Sequence, residues 1–132
     1  MPVSADDTAL RRVPPLMVVA DPKVQGGKRA SSAVFKDDRD GSSMSVYLDS
    51  AVRALGLETR DVLHGKSSGW AVAAIPVAVL VAEEQRVVRD PVFDSVIPHP
   101  CDLAHALVEG AKKERARLER ISRKSPLVYM SS

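Results

Sequence analysis

Cysteine is almost absent: Cys101 is the only one, so no intramolecular disulfide can form and a cysteine-rich zinc module is excluded. A reducing cytoplasm is the natural setting for such a chain. Aromatic residues make up only 4% of the sequence, too few stacking rings for a platform that holds single-stranded nucleic acid by its bases. Long apolar runs are missing too. The longest uncharged apolar stretch, Trp70 to Ala82, is too short to span a bilayer and is interrupted by Pro76, which marks it as core. The opening "MPVSADDTAL" is acidic and has no apolar centre, so neither a secretory leader nor an Arg-rich transit peptide is expected.

What remains is an ordinary globular composition, 45% apolar and 27% charged over 132 residues. That length is one domain's worth and can bury roughly two thirds of its unfolded surface. Residues 1–8 are expected as a loose arm and 9–130 as a single α+β domain, with a small mixed sheet, short helices and a basic C-terminal helix.

Pro14-Pro15 separates two apolar runs, Leu10 to Val13 and Leu16 to Ala20, which predicts strand, kink, strand. "PKVQGGKRASSA" reads as a Gly-rich basic loop, and Asp40-Gly41 signals a turn. "MSVYL" alternates like a strand. Asp49 is placed to cap a short helix through Leu55 that Gly56 ends, and Thr59 to cap another ending near Gly65. Trp70 to Ile75 suits a buried central strand, with Pro76 in the first turn of a helix reaching about Gln85. Arg86 to Arg89 follows as a strand. "DPVFDSVIPHP" is too proline-rich for anything but an irregular connection. "AHALV" reads as a strand broken by Gly110, "AKKERARLERISRK" as a charged helix stopped by Pro126, and "LVY" as a last strand. One helix across Gly110 would cost about 1 kcal/mol at that glycine.

The stretches "SSAVF", "GSSMSVYL", "VRDPV" and "HPCDLAHALVEG", in this order, resemble a family of small bacterial proteins over roughly residues 10–129. The resemblance implies a whole protein and brings no activity, cofactor or catalytic residue.

Four groups of residues carry candidate chemistry. His99, Asp102 and His105 are of metal-ligand type, but helix motifs place paired histidines four apart, and Pro98 and Pro100 oppose a helix; no metal or other cofactor is expected. Ser31 and Ser32 beside Gly26-Gly27, Lys28 and Arg29 form a loop whose amides suit a phosphate, although the full P-loop pattern is absent. Alternation turns one of Arg11 and Arg12 inward, toward a carboxylate such as Asp37, Asp38, Asp40 or Asp90, or toward a bound anion. Cys101 lacks a neighbouring base and reads as an inert buried thiol, with a Cys101–His105 pair as the reactive alternative.

Electrostatics give the clearest signal. Residues 111–124 carry a local net charge of +5 in a chain whose total is +2. Lys112, Lys113, Arg115, Arg117, Arg120 and Arg123 are therefore candidate contacts to a phosphate backbone or an acidic partner, while Leu118 and Ile121 supply an apolar seam. Two functions are open. One is a small cytoplasmic binding or accessory protein that contacts a partner protein or nucleic acid through this helix, with no membrane role. The other is a small enzyme acting on a nucleotide or nucleic-acid phosphate, with Arg12, Ser31 and His105 in one pocket.

Overall fold

A computed structural model describes residues 3–38, 43–112 and 114–131. The Asp40-Gly41 turn and Lys113 lie outside the described residues. Strand β1 (Thr8–Val13) alternates strictly: Ala9 and Val13 enter one core cluster and Leu10 the other, so the two prolines that follow end a strand buried on both faces. After a 3-10 turn at Pro15–Met17, β2 (Val18–Ala20) pairs only with β3 (Lys28–Ala30), forming a separate two-stranded ribbon. The expected Gly-rich loop thus contains a strand. Gly26 and Gly27, at φ of 85° and 73°, reverse the chain in a left-handed conformation that only glycine adopts freely.

The main sheet is built from β1, β4 (Met44–Leu48), β5 (Ala71–Pro76), β6 (Arg86–Arg89), β7 (His105–Glu109) and β8 (Leu127–Met130) in the order β6-β7-β4-β1-β5-β8. Every pair is antiparallel, where a mixed sheet was expected. The reason lies in α2 (Val77–Ala82): β5 and β6 run the same way, but this short helix carries the chain to the far edge, so the two strands never pair. Both sides of β5 are taken by β1 and β8. Trp70 to Ile75 does give an interior strand, β5, with Pro76 as its last residue and not in the helix's first turn. The helix stops at Ala82, short of Gln85, because Glu84 takes a left-handed φ of 61° and the Gln85 N–H returns to the Leu80 carbonyl at 2.9 Å.

Helix α1 (Asp49–Ala54) has Asp49 inside its first turn and no side-chain cap; Leu48 occupies the cap position. Likewise Glu58, not Thr59, caps the 3-10 helix Thr59–Leu63, through a reciprocal bond in which the Glu58 N–H donates to Asp61 at 2.7 Å. Residues 91–99 form no regular element, as the prolines require. Within the stretch expected as a loose arm, Val3 packs on the core and Asp7 accepts from the Ser50 N–H and hydroxyl, while Ser4, Ala5 and Asp6 are exposed.

Two apolar layers flank the sheet. On the first face Phe35, Met44, Val46, Ile75 and Leu80 meet Leu118 and Ile121 of α3 (Arg115–Arg123). On the second, Leu10, Tyr47 and Val72 meet Val52 of α1, Val62, Leu63 and Cys101. Each such side chain contributes on the order of 1.5–3 kcal/mol, enough for the sheet to hold substituents on both faces in fixed positions. Among the described residues, no helix is long and apolar enough to cross a membrane.

Candidate functional site

The first face carries a groove of about 1070 Å³ between the β2–β3 ribbon and α3. Lys23, Lys28 and Arg29 line it from the ribbon side and Arg115, Arg123 and Lys124 from the helix side, against only two carboxylates, Asp21 and Glu119. Asp21 pairs with Arg29 at 2.9 Å, and Glu119 is shared by Arg115 at 3.2 Å and Arg123 at 3.8 Å. Lys23, Lys28 and Lys124 form no salt bridge among the described residues, although Lys23 helps to lower the Asp21 carboxyl and Lys124 the Glu83 carboxyl through space. Ser31 and Ser32 lie in the same groove, so the loop and the helix singled out from the sequence converge across the chain. The Ser31 hydroxyl oxygen accepts from the Ala33 N–H, whereas Ser122 and Ser125 already donate to backbone carbonyls.

The rest of the basic run is engaged inside the protein. Lys112, with a side chain only 2% exposed, binds Asp37 and the carbonyls of Val108 and Gly110. Arg117, 14% exposed, reaches Glu83 at 3.5 Å, Glu84 at 3.0 Å and the Ala111 carbonyl at 2.8 Å. Arg120 grips Glu83 through two bonds of 2.8 Å. The Arg120 hydrogen bond, helped by Arg117, holds the Glu83 carboxyl below its usual range despite its partial desolvation. Of the candidate contacts, then, Arg115 and Arg123 face the groove, and Lys112, Arg117 and Arg120 belong to an ion network. The groove's other cations, Lys23, Lys28, Arg29 and Lys124, come largely from the ribbon, which the local charge count did not weigh.

The second face gathers a different set. Tyr47 and His105 are cross-strand partners, their rings edge to face at 5.7 Å. His64 lies 6.5 Å from Tyr47 and stacks on His99 at 4.1 Å, so all three histidines of the chain are grouped. The Arg12 guanidinium lies 5.4 Å from the centre of the Tyr47 ring. Burial, then His99 and Arg12, lowers the His64 imidazole from its ordinary value. The Cys101 thiol is pushed up to about 11, first by burial and then by Asp61 and Asp102, which suits an inert thiol and not a nucleophile.

Arg12 and His105 therefore share one face and Ser31 lies on the other, so these three do not form a single pocket. Arg11 is the inward arginine. It binds Asp38 at 3.1 Å and the carbonyls of Val34 and Ser45. His99, Asp102 and His105 are also drawn into local bonds: the Asp102 carboxylate accepts from the His99 N–H and the Ser95 hydroxyl, and His105 Nδ1 meets the Asp90 carbonyl. Among the described residues no group of three or more His, Cys, Asp or Glu side chains is arranged to hold a metal ion. His64 carried no signal in the sequence, since nothing local links it to His99. Alternation within each strand gives the face on which Tyr47 and His105 lie, but their pairing follows from the β4–β7 register, which the sequence does not show.

In comparisons with known proteins, no family model, no curated protein and no solved structure matched the chain.

Proposed function

We propose that the protein is a cytoplasmic binding module for a nucleic acid, held by its phosphate backbone in the groove between the β2–β3 ribbon and α3. The observation that carries this reading is that Lys23, Lys28 and Lys124, from both walls of one concave surface, form no salt bridge among the described residues. Ammonium groups in that state are balanced by mobile ions, and a phosphate chain that displaces those ions gains their release entropy. The scarcity of aromatic side chains fits contacts to phosphates, which position a strand without reading its sequence. The test is fluorescence anisotropy with labelled duplex DNA and RNA at low salt. The native chain should bind, and Lys28→Glu with Lys124→Glu should weaken binding about tenfold or more. No association with either nucleic acid, or equal binding by the double variant, would overturn the reading. An acidic protein partner would then be the remaining occupant of the groove.

A further inference from the structure

Arg12 is half-buried, yet among the described residues it has neither a hydrogen bond nor a salt bridge; its guanidinium lies over the Tyr47 ring. A guanidinium partly withdrawn from water without an anion is costly, and a planar five-donor fork is shaped for two oxygens of an oxyanion. Its surroundings add further unengaged donors. His99 Nδ1 accepts from the Cys101 N–H at 3.1 Å, so in the neutral ring the proton sits on Nε2. His64, stacked on His99 with the rings 6° from parallel, has a buried Nε2 without a hydrogen-bond partner among the described residues, and it can donate when the ring carries its proton there. An orphaned buried ring nitrogen is a group waiting for a ligand or water, since leaving it unpaired forfeits the hydrogen bond it made in the unfolded chain.

The carboxylate oxygens nearby are taken up by other bonds, although Asp102 still acts on His64 and His99 through space. Asp102 holds the His99 N–H and Ser95, and Asp90 lies against His105 Nδ1 at 3.2 Å. We propose that Arg12, His64 and His99 form a binding site for a phosphate group, on the face of the sheet opposite the groove, with Arg12 supplying the charge and the imidazoles supplying directed hydrogen bonds. The phosphate is either free or carried on a nucleotide. This site does not depend on the groove.

The experiment is a titration of the full chain with inorganic phosphate and, separately, a nucleoside 5′-monophosphate, following the histidine ring resonances by NMR at matched ionic strength. Saturable shifts of His64 and His99 are expected. Stronger binding of the nucleotide identifies the carried phosphate as the ligand, and equal or weaker binding identifies the free anion. Arg12→Gln should weaken the response roughly tenfold or more, the loss of a charge-assisted pair. Arg12→Lys keeps the charge without the fork and should weaken it less. Lys28→Glu with Lys124→Glu should leave it unchanged, which separates this site from the groove. If neither ligand shifts these rings in the native chain, or if both Arg12 variants respond as the native chain does, the proposal is overturned.

Discussion

On the face of the sheet covered by α3, Arg11 is held by Asp38 and two carbonyls and Lys112 by Asp37 and two more; on the opposite face Arg12, the next residue in sequence, has no anion among the described residues. The contrast recurs along α3, where Arg117 and Arg120 are bound to Glu83 while Arg115 and Arg123, 89% and 73% exposed, share one carboxylate at the groove. A cation counts toward binding only when the fold leaves it without a better partner. The charge of a segment measures how many cations it has, and the tertiary contacts decide how many are free.

The sharpest way to test this difference is by stability. Ile121→Ala should destabilise the protein by about 3–4 kcal/mol, since it empties a fully buried site between α3 and the sheet. Lys112→Ala should cost about 3 kcal/mol, because Asp37 and two carbonyls lose their donor in a buried setting. Arg12→Gln, by contrast, should stay within about 1 kcal/mol, as it breaks no ion pair. Urea unfolding of the three variants checks the order, and an Arg12→Gln as damaging as Lys112→Ala would erase the contrast between the faces.

A smaller effect separates the two halves of the basic helix. Charge reversal at Arg117 and Arg120 should lower the melting temperature, because it places acid against Glu83 and Glu84; reversal at Arg115 and Arg123 places acid against Glu119 only at exposed positions and should lower it much less. The second pair should nevertheless weaken nucleic-acid binding more than the first. Equal loss of stability from both would show that the whole helix is structural.

How far the sequence could see depended on the range of the interactions. Strands β4, β5 and β7 were legible because alternation or an unbroken apolar run is written into consecutive residues. The break at Gly110 was legible as well, and its reason is now concrete: φ is 139°, and a Cβ there would meet the Gln85 side chain at 2.9 Å. Strand β3 was hidden because Lys28, Arg29 and Ala30 have little strand preference and are held only by pairing with β2. The Arg120–Glu83 pair spans 37 residues, and the stacking of His64 on His99 joins a 3-10 helix end to a proline-rich connection. Contacts of that range follow from the strand order, which composition and spacing do not contain.

The two faces should also respond to acid in different windows. Burial alone would raise the Asp38 carboxyl, but Arg11 and the Ser45 hydrogen bonds outweigh it and hold the group below the usual carboxylate value of about 3.9. The unfolded chain then takes up the proton first, so this contribution is present above about pH 3.9 and is lost as the pH falls through the lower folded value. His64, lowered by burial and its cationic neighbours, behaves with the same sign from a higher starting point: its contribution is present above about pH 6.5 and declines below it. Stability should therefore fall gently from neutral pH toward pH 5, a slope that His64→Gln flattens, and more steeply in the carboxylate range, a slope that Arg11→Met flattens. Identical pH profiles for these variants and the native chain would show that neither group is coupled to folding.

The reading of the groove rests on unpaired lysines, and the salt dependence of binding counts them. On duplex DNA each neutralised phosphate contributes about −0.9 to the slope of log affinity against log salt, so three lysines set a slope of about −2.7 or steeper. Lys28→Gln and Lys124→Gln should each flatten it by about 0.9, while Arg117→Gln should leave it unchanged. A native slope near zero, or one that Arg117→Gln flattens and the lysine variants do not, would contradict the account.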